Sequence, residues 1–217
     1  MNNKGKKVLV CGMARSGIAA AELLCEKGAV VTLQDLKEKE KLEGISDLEK
    51  KGITIYAGKN PDDIVLQQDL IVLSPGIACD LPFVQKAEKN HIPVWSEVEL
   101  AYTMTPCPVI AITGTNGKTT TTTLVGELLK AQYPNTAVVG NIGMPYSQNV
   151  KQLTAKDWVV AEISSFQMEK AHTFHPKISA VLNITPDHLN RHKTMENYIA
   201  MKEKVWKNQT KEDYCIL

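Results

Sequence analysis

The strongest constraint on the fold is the segment Ile112–Thr121, which places a glycine-bounded turn, a lysine and several hydroxyls between two apolar patterns. Before it, Val109–Ile112 has the composition of a buried strand. After it, apolar residues recur at helical spacing, at Leu124, Val125, Leu128 and Leu129. A strand that leads through such a turn into a helix is typical of a triphosphate-binding loop, because backbone N–H groups and the helix dipole then face phosphate oxygens.

The predicted nucleotide-binding residues of this loop are Gly114, Thr115, Asn116, Gly117, Lys118, Thr119 and Thr120. Lys118 is expected to reach the outer phosphates, and Thr119 to hold Mg²⁺. The match to G-x-x-x-x-G-K-[ST] is incomplete, because Ile112 stands where the pattern has its first glycine. We therefore interpret the loop as a shortened variant. An ordinary Gly-Asn turn is the alternative, and the flanking strand and helix favour nucleotide binding.

Short β-rich runs alternate with helical patterns along the chain, which predicts parallel sheets. The runs are Val8–Val10, Val30–Leu33, Ile53–Tyr56, Leu70–Leu73 and Pro93–Trp95, then Thr136–Val139, Trp158–Ala161 and Ile178–Leu182. A junction is expected between Ser96 and Pro108, where prolines interrupt regular structure. The predicted fold class is α/β, with a Rossmann-like domain at residues 1–96 and a phosphate-loop domain at residues 97–217.

The last residues, Tyr214–Leu217, have the pattern of another buried strand with no closing turn after it. We therefore expect the chain to be truncated.

Polar residues in the first domain follow the ends of its predicted strands. Gly12–Gly17 follows the first strand and Asp35 ends the second, as in a dinucleotide-binding fingerprint. Ala14 replaces the middle glycine, so the turn could instead bind any pyrophosphate at a helix N-terminus. Ser74 leaves the fourth strand at the same edge and could donate its hydroxyl to the same ligand, although Ser-Pro-Gly turns are common.

Three polar clusters close the strands of the second domain, at Gly140–Gly143, Glu162–Gln167 and Asn183–His188. Ligands of open α/β sheets bind beyond the carboxyl ends of the strands. Glu162 suits Mg²⁺, which prefers carboxylate oxygen, and a capping or ion-paired glutamate is the alternative. His188 in a Thr-Pro-Asp-His turn is more typical of a hydrogen-bonded structural residue than of a metal ligand.

Taken together, Gly114–Thr120 and these three clusters resemble the Mur ligases, the ATP-dependent amide-forming enzymes of peptidoglycan synthesis. The start of the chain, with Gly12–Gly17 and Ser74–Ala78, is similar to the type that adds D-glutamate to UDP-N-acetylmuramoyl-L-alanine. The resemblance covers essentially the whole chain.

The resemblance implies a role for each candidate residue. The UDP moiety would be bound at Arg15, Ser16, Asp35 and Ser74, and the muramoyl-alanine portion at Asn141 and Gln167. Mg²⁺ would be held by Thr119, Glu162, His188 and Lys202, with Lys202 carbamylated. Lys118, His188 and Lys202 would be the catalytic residues. From the residues alone, Lys202 is interpreted as an exposed lysine on an amphipathic helix.

The implied reaction transfers the ATP γ-phosphoryl group to the substrate carboxylate, and the D-glutamate amine then attacks the acyl phosphate. Family members carry the rest of the central domain and a third domain for adenine and the amino acid. The resemblance therefore implies that this chain is an N-terminal fragment with a truncated second domain, and we expect it to be inactive alone. The alternatives are a sister ligase with another amino acid, a non-catalytic nucleotide-sugar-binding module, and an NAD-dependent oxidoreductase.

Composition limits the partners to small molecules. The formal net charge of +1 argues against a nucleic-acid surface, and no segment could span a membrane. The basic start leads into a short apolar run, unlike a signal peptide. The five scattered cysteines indicate neither a disulfide framework nor a zinc site. We expect a cytoplasmic monomer.

Overall fold

The structure is a computed structural model that describes residues 3–217, so Met1 and Asn2 of the predicted first domain lie outside the described residues. The chain divides into two compact units, the first ending at Leu100 and the second beginning at Ala101.

The first unit is built on a five-stranded sheet with the order β3-β2-β1-β4-β5, in which every pairing is parallel. Its elements are β1 (Lys7–Cys11), α1 (Arg15–Glu26), β2 (Val30–Asp35), α2 (Ile45–Lys50), β3 (Thr54–Ala57), β4 (Leu70–Leu73), α3 (Pro82–Lys89) and β5 (Val94–Ser96). Helix α4 (Glu97–Thr103) follows and runs across the boundary.

The second unit has its own five-stranded parallel sheet, in the order β10-β9-β6-β8-β7. Its elements are β6 (Val109–Thr113), α5 (Lys118–Lys130), β7 (Ala137–Gly140), α6 (Tyr146–Asn149), β8 (Val159–Glu162), α7 (Ser165–Met168), β9 (Ile178–Val181), α8 (Leu189–His192), α9 (Met195–Glu203) and β10 (Tyr214–Ile216). The predicted α/β class with parallel sheets is confirmed.

Helix α5 packs on the second sheet through only half of its apolar residues. Val125 and Leu129 contact a core formed by Ile110, Ile112, Val160 and Ala180, whereas Leu124 and Leu128 are 58% and 67% exposed. The helix comes close to β7 because Gly126 has no side chain, and a Cβ there would lie 2.3 Å from Val138 Cγ2.

Strand β10 confirms that the chain ends in a β-strand, but the expectation that it would be buried is wrong. It pairs with β9 at the edge of the sheet, and Tyr214 and Ile216 are exposed. No helix within the described residues is both long enough and apolar enough to cross a membrane.

The strand order explains where a site can form in the second unit. Strand β6 lies at the centre, between β8 and β9, and β7 lies beyond β8. Because all five strands are parallel, the segments after β6, β7, β8 and β9 leave from the same edge.

Candidate phosphate-binding site

The loop between β6 and α5 has the backbone of a phosphate cradle. Gly117, the N-cap of α5, adopts the left-handed conformation with φ +80°, which favours glycine. Gly117 makes no side-chain capping bond to the first turn. The leading N–H groups of the helix are therefore able to bind an anion, with the helix dipole behind them.

Lys118 lies over this loop. Its Nζ donates to the carbonyl oxygen of Gly114 at 2.9 Å and to that of Thr115 at 2.7 Å. The ammonium group is therefore held on the inside of the loop, where it could exchange these carbonyls for phosphate oxygens.

Glu162 connects three segments at the edge of the sheet. One carboxylate oxygen accepts a hydrogen bond from Thr119 Oγ1 at 2.8 Å, and the other accepts from Asn141 Nδ2 at 2.9 Å. The residue is buried, so an anion stands beside the phosphate loop with neutral hydrogen-bond donors. Gly140 allows this approach, since a Cβ there would lie 2.2 Å from the carbonyl oxygen of Glu162.

The segment after β9 fixes the phosphate loop from the other side. Asn183 accepts from the N–H of Asn116 at 2.9 Å and donates to its carbonyl at 3.0 Å. Thr115 Oγ1 donates to the carbonyl of Thr185 at 3.1 Å and accepts from its N–H at 3.0 Å. Because these bonds join distant parts of the chain, the loop conformation depends on the folded sheet.

Helix α9 adds two buried side chains, one turn apart, to the same loop. The Tyr198 hydroxyl lies 3.1 Å from Thr115 Oγ1, and Lys202 Nζ donates to the carbonyl of Gly114 at 2.7 Å. Lys202 also lies over the Tyr198 ring, with its Nζ 4.7 Å from the centroid. Burial, with the nearby charge of Lys118, lowers the pKa of Lys202 to about 8.

These segments enclose a cavity of about 100 Å³ beside the loop. Its lining residues are Lys118, Asn141, Ser164, Ser165, Phe166, Asp187, His188, Tyr198 and Lys202. Four predicted site residues, Lys118, Asn141, His188 and Lys202, therefore lie around one space. Both lysines and the histidine could act on a ligand placed there.

The predicted metal ligands form two neighbouring groups. Thr119 and Glu162 are hydrogen-bonded to each other, whereas His188 and Lys202 line the cavity. Within residues 3–217, no three or more His, Cys, Asp and Glu side chains gather as a metal site. Metal binding by all four residues stays a prediction.

The loop fits a nucleoside triphosphate, and the Thr119–Glu162 pair fits a hard divalent cation. Gly117 leaves the helix N-terminus open and Lys118 supplies positive charge. A threonine hydroxyl beside a carboxylate oxygen matches the oxygen ligands that Mg²⁺ prefers. Lys202 as an ammonium ion has no lone pair for a metal, and carbamylation would give it the oxygen atoms that Mg²⁺ prefers.

Gln167 has a local structural role. It forms a capping box with Ser164 at the start of α7, in which its side chain accepts from the Ser164 N–H at 2.8 Å. The side chain is buried. Its contact with a substrate stays a prediction.

The candidate residues of the first unit gather around the turn after β1. Asp35 accepts from the N–H of Met13 at 2.8 Å, and Ser74 Oγ donates to the carbonyl of Gly12 at 3.1 Å. Gly17 is needed for this turn, because a Cβ there would lie 1.8 Å from Gly12 O. Arg15 opens α1.

A cavity of about 90 Å³ lies beside this turn. It combines polar side chains with apolar ones, and its lining residues are Gly12, Gln34, Asp35, Leu36, Asn60, Ile77, Leu81 and Phe83. Asp35 is the one predicted substrate residue in this set; Arg15, Ser16 and Ser74 do not line the cavity.

Sequence reasoning missed several residues that hold the site. Asn183 and Thr185 were placed in a polar cluster but given no individual roles, although their position just after β9, beside the central strand, was the available signal. Tyr198 was also missed, and its signal was its place four residues before Lys202, on the same face of a helix.

Comparison with known proteins agrees with this architecture. Residues 6–96 match the Mur ligase MurD-like N-terminal domain, and residues 112–217 match the Mur ligase middle domain. Solved structures give the same fold. The UDP-N-acetylmuramate:L-alanyl-gamma-D-glutamyl-meso-diaminopimelate ligase of Neisseria meningitides has a TM-score of 0.62 at 17% identity, over 97% of this chain and 70% of that one. The UDP-N-acetylmuramate-alanine ligase of Thermotoga maritima has a TM-score of 0.57 at 23% identity, over 96% of this chain and 48% of that one.

Curated relatives are more similar in sequence. The proteins called UDP-N-acetylmuramoylalanine--D-glutamate ligase from Lachnoclostridium phytofermentans and Alkaliphilus metalliredigens are 52% and 44% identical to this chain over its full length. The chain spans 48% of the length of each of these relatives. With both of its units matched, the chain belongs to the Mur ligase family, of which it comprises a MurD-like N-terminal domain and a middle domain.

Proposed function

We propose that this chain provides the UDP-substrate and ATP sites of a ligase that joins D-glutamate to UDP-N-acetylmuramoyl-L-alanine. The observation that carries the proposal is the arrangement of Lys118, Asn141, His188 and Lys202 around one cavity beside a phosphate loop. The names of the relatives at 44–52% identity supply the amino acid and the acceptor.

A carboxylate is a poor electrophile. Transfer of the ATP γ-phosphoryl group to it would release ADP and give an acyl phosphate, whose carbonyl carbon the D-glutamate amine could attack with release of inorganic phosphate. The open N-terminus of α5 would bind the phosphates, and Lys118 would exchange its bonds to loop carbonyls for bonds to phosphate oxygens. Asn141 would orient the acceptor from the cavity wall. Placing two anions together against cationic groups would supply most of the rate acceleration.

The metal proposal concerns Thr119 and Glu162, with His188 and a carbamylated Lys202. Mg²⁺, when bound, would offset negative charge on the phosphates. Lys202 suits carbamylation chemically, because its lowered pKa of about 8 leaves part of it as a neutral, nucleophilic amine near neutral pH. A carbamate at this position would replace a cation with an oxygen ligand.

The first unit would bind the UDP moiety. The turn at Gly12 presents the N-terminus of α1, and the adjoining cavity combines Asp35 and Asn60 with apolar side chains. If the uracil base of UDP occupied this cavity, the diphosphate could lie at the N-terminus of α1. We propose residues 1–96 as this substrate domain and residues 97–217 as the ATP domain of a cytoplasmic monomer.

Calorimetric titration of the purified chain with UDP-N-acetylmuramoyl-L-alanine tests the substrate proposal. UDP and NADH are the competing ligands. Saturable binding that prefers the muramoyl compound over UDP supports the proposal, whereas preferential binding of NADH would support an oxidoreductase. A folded chain that binds none of the three contradicts the substrate proposal.

A second titration with ATP and Mg²⁺ tests the phosphate loop separately. The Lys118→Ala variant should bind ATP at least tenfold more weakly, because it loses a charge-assisted hydrogen bond. Its affinity for the UDP substrate should stay largely intact, since the UDP moiety would be bound by the first unit. Equal ATP affinity of the two proteins contradicts the role of Lys118.

A further inference from the structure

Helix α8 is strained at both ends. His188, its N-cap, has φ +51°, and Lys193, its C-cap, has φ +70° with ψ −44°. The N–H of Thr194 donates to the carbonyl of His192 at 2.9 Å. Lys193 is thus the centre of a γ-turn of the rare, strained kind. A residue with a Cβ stays in such a conformation only when its surroundings impose it.

Two side chains of α8 bind the segment around α7 and hold the helix against it. Arg191 forms a two-pronged ion pair with Glu169, with N–O distances of 2.8 and 2.7 Å. His192 is buried, and its Nε2 lies 2.9 Å from Ser165 Oγ. Because Ser165 belongs to the cavity wall, the second contact leads directly to the proposed active site.

The Phe166 ring contacts Arg191, His192 and His188. The ring of His192 stacks on that of Phe166 at 30°, with centroids 5.4 Å apart, and the Arg191 guanidinium lies 4.3 Å from the Phe166 centroid. The ring of His188 lies 4.8 Å from the same centroid. Phe166 and His188 both line the cavity, so movement of His192 would alter two cavity-lining side chains together.

We propose that His192 is a positioning residue, which through its hydrogen bond to Ser165 fixes Phe166 and directs His188 into the cavity. This role of His192 rests on the proposed function, which assigns the cavity as the active site. Mutation of a residue that orients a metal-binding side chain typically lowers metal affinity by about 10- to 100-fold.

A buried histidine could instead serve only to fill the core. Three variants of the full chain separate the two roles. Ser165→Ala removes the hydrogen bond with little change in volume. His192→Phe keeps an aromatic ring and loses the bond, whereas His192→Gln keeps a group able to bond Ser165 and loses the ring. Ser46→Ala, at an exposed serine of the first unit, is the matched control.

The first readout is the imidazole NMR signal of His188, which senses the ring current of Phe166 and needs no ligand. We expect Ser165→Ala and His192→Phe to move this signal in the same direction, and His192→Gln to keep it near its wild-type position. The double variant Ser165→Ala/His192→Phe should shift the His188 signal no further than either single variant, because both substitutions remove the same contact. An unmoved His188 signal in both folded variants overturns the proposal.

The second readout is the affinity for ATP with Mg²⁺. Ser165→Ala and His192→Phe should weaken it about tenfold or more, with His192→Gln partly restored. A loss in His192→Phe without a loss in Ser165→Ala overturns the positioning role and indicates packing alone. If wild type binds no ATP, the proposed function fails, while the NMR result still decides whether His192 positions His188.

Discussion

Lys118 and Lys202 donate hydrogen bonds to the same acceptor, the carbonyl oxygen of Gly114, at 2.9 and 2.7 Å. Two cationic groups therefore meet over one backbone dipole. Lys202 is the more buried of the two, with 2% exposure. Burial first, and the charge of Lys118 second, lower the pKa of Lys202 to about 8.

Lys202 should make the stability of the chain depend on pH in the alkaline range. Its pKa is about 8 in the folded chain and near 10.5 when unfolded, so between these values the unfolded chain binds more protons. The free energy of unfolding of wild type, minus that of Lys202→Met, should therefore rise from pH 8 to pH 10.5. Denaturant unfolding of both proteins at several pH values measures this difference.

Two further variants control that experiment. Lys156→Met, at an exposed position, should give a difference from wild type that stays flat over the same range. Lys118→Met removes the neighbouring charge, so the rise due to Lys202 should begin at a higher pH. A wild-type curve parallel to that of Lys202→Met would show that Lys202 titrates as an ordinary lysine.

Glu162→Gln should separate Mg²⁺-dependent from Mg²⁺-independent ATP binding. The carboxylate accepts from neutral donors, Thr119 and Asn141, and is the proposed anchor for the cation. The variant should lose most of the gain in ATP affinity on adding Mg²⁺. Without Mg²⁺ it should bind ATP as well as wild type or better, because an anion near the phosphates is gone.

Glu127→Gln is the matched control, because Glu127 lies on α5, the helix that also carries Thr119, and forms an exposed ion pair with Lys130. Titrations with and without Mg²⁺ should give wild-type values for this variant. A full Mg²⁺ effect in Glu162→Gln would assign the cation to other residues.

The sheets could be predicted from sequence because a strand buried on both faces is a continuous apolar run. Strand β4 (Leu70–Leu73) matches its predicted run residue for residue. Strand β6 (Val109–Thr113) is one residue longer than the predicted run Val109–Ile112. The phosphate loop was equally accessible, since its glycines, lysine and threonine are contiguous in sequence. Strand order was not, because pairing between distant strands leaves no mark in either strand alone.

The contacts that complete the site lie beyond such patterns. Thr115 bonds Thr185 and approaches Tyr198, residues 70 and 83 positions away, and such pairings depend on the whole fold. Lys202 shows the limit clearly. Its local pattern is that of an exposed lysine, yet α9 packs with Tyr198 and Lys202 inward, and only the family resemblance indicated a functional role.

Gly140→Ala should disturb Glu162 through the backbone. A Cβ at Gly140 would lie 2.2 Å from the carbonyl oxygen of Glu162, and the residue has φ +109°. We expect a loss of about 2 kcal/mol or more in the free energy of unfolding, from strain together with the clash.

Gly143→Ala is the control. Gly143 has φ +62°, and a Cβ added there would have no atom within 4 Å, so strain alone should cost about 1 kcal/mol. Equal losses in chemical denaturation would contradict the close approach of Gly140 to Glu162.

Asp213 should hold the edge strand β10 in place at neutral pH and release it in acid. Its carboxylate accepts from His175 Nε2 at 2.6 Å and from the N–H of Thr210 at 2.8 Å, and it lies 3.2 Å from Lys177 Nζ. The hydrogen bond from His175, followed by that from Thr210, lowers the pKa of Asp213 well below its ordinary 3.8. Its stabilisation is therefore complete above pH 3.8 and is lost as the pH falls below that value, because the unfolded chain then binds the proton first.

Asp213→Asn should lower the free energy of unfolding at pH 7. Below pH 3.8 its free energy of unfolding should fall less steeply with pH than that of wild type. Hydrogen exchange of the β10 amides in the two proteins measures this locally, and equal exchange rates at pH 7 would contradict the role of Asp213.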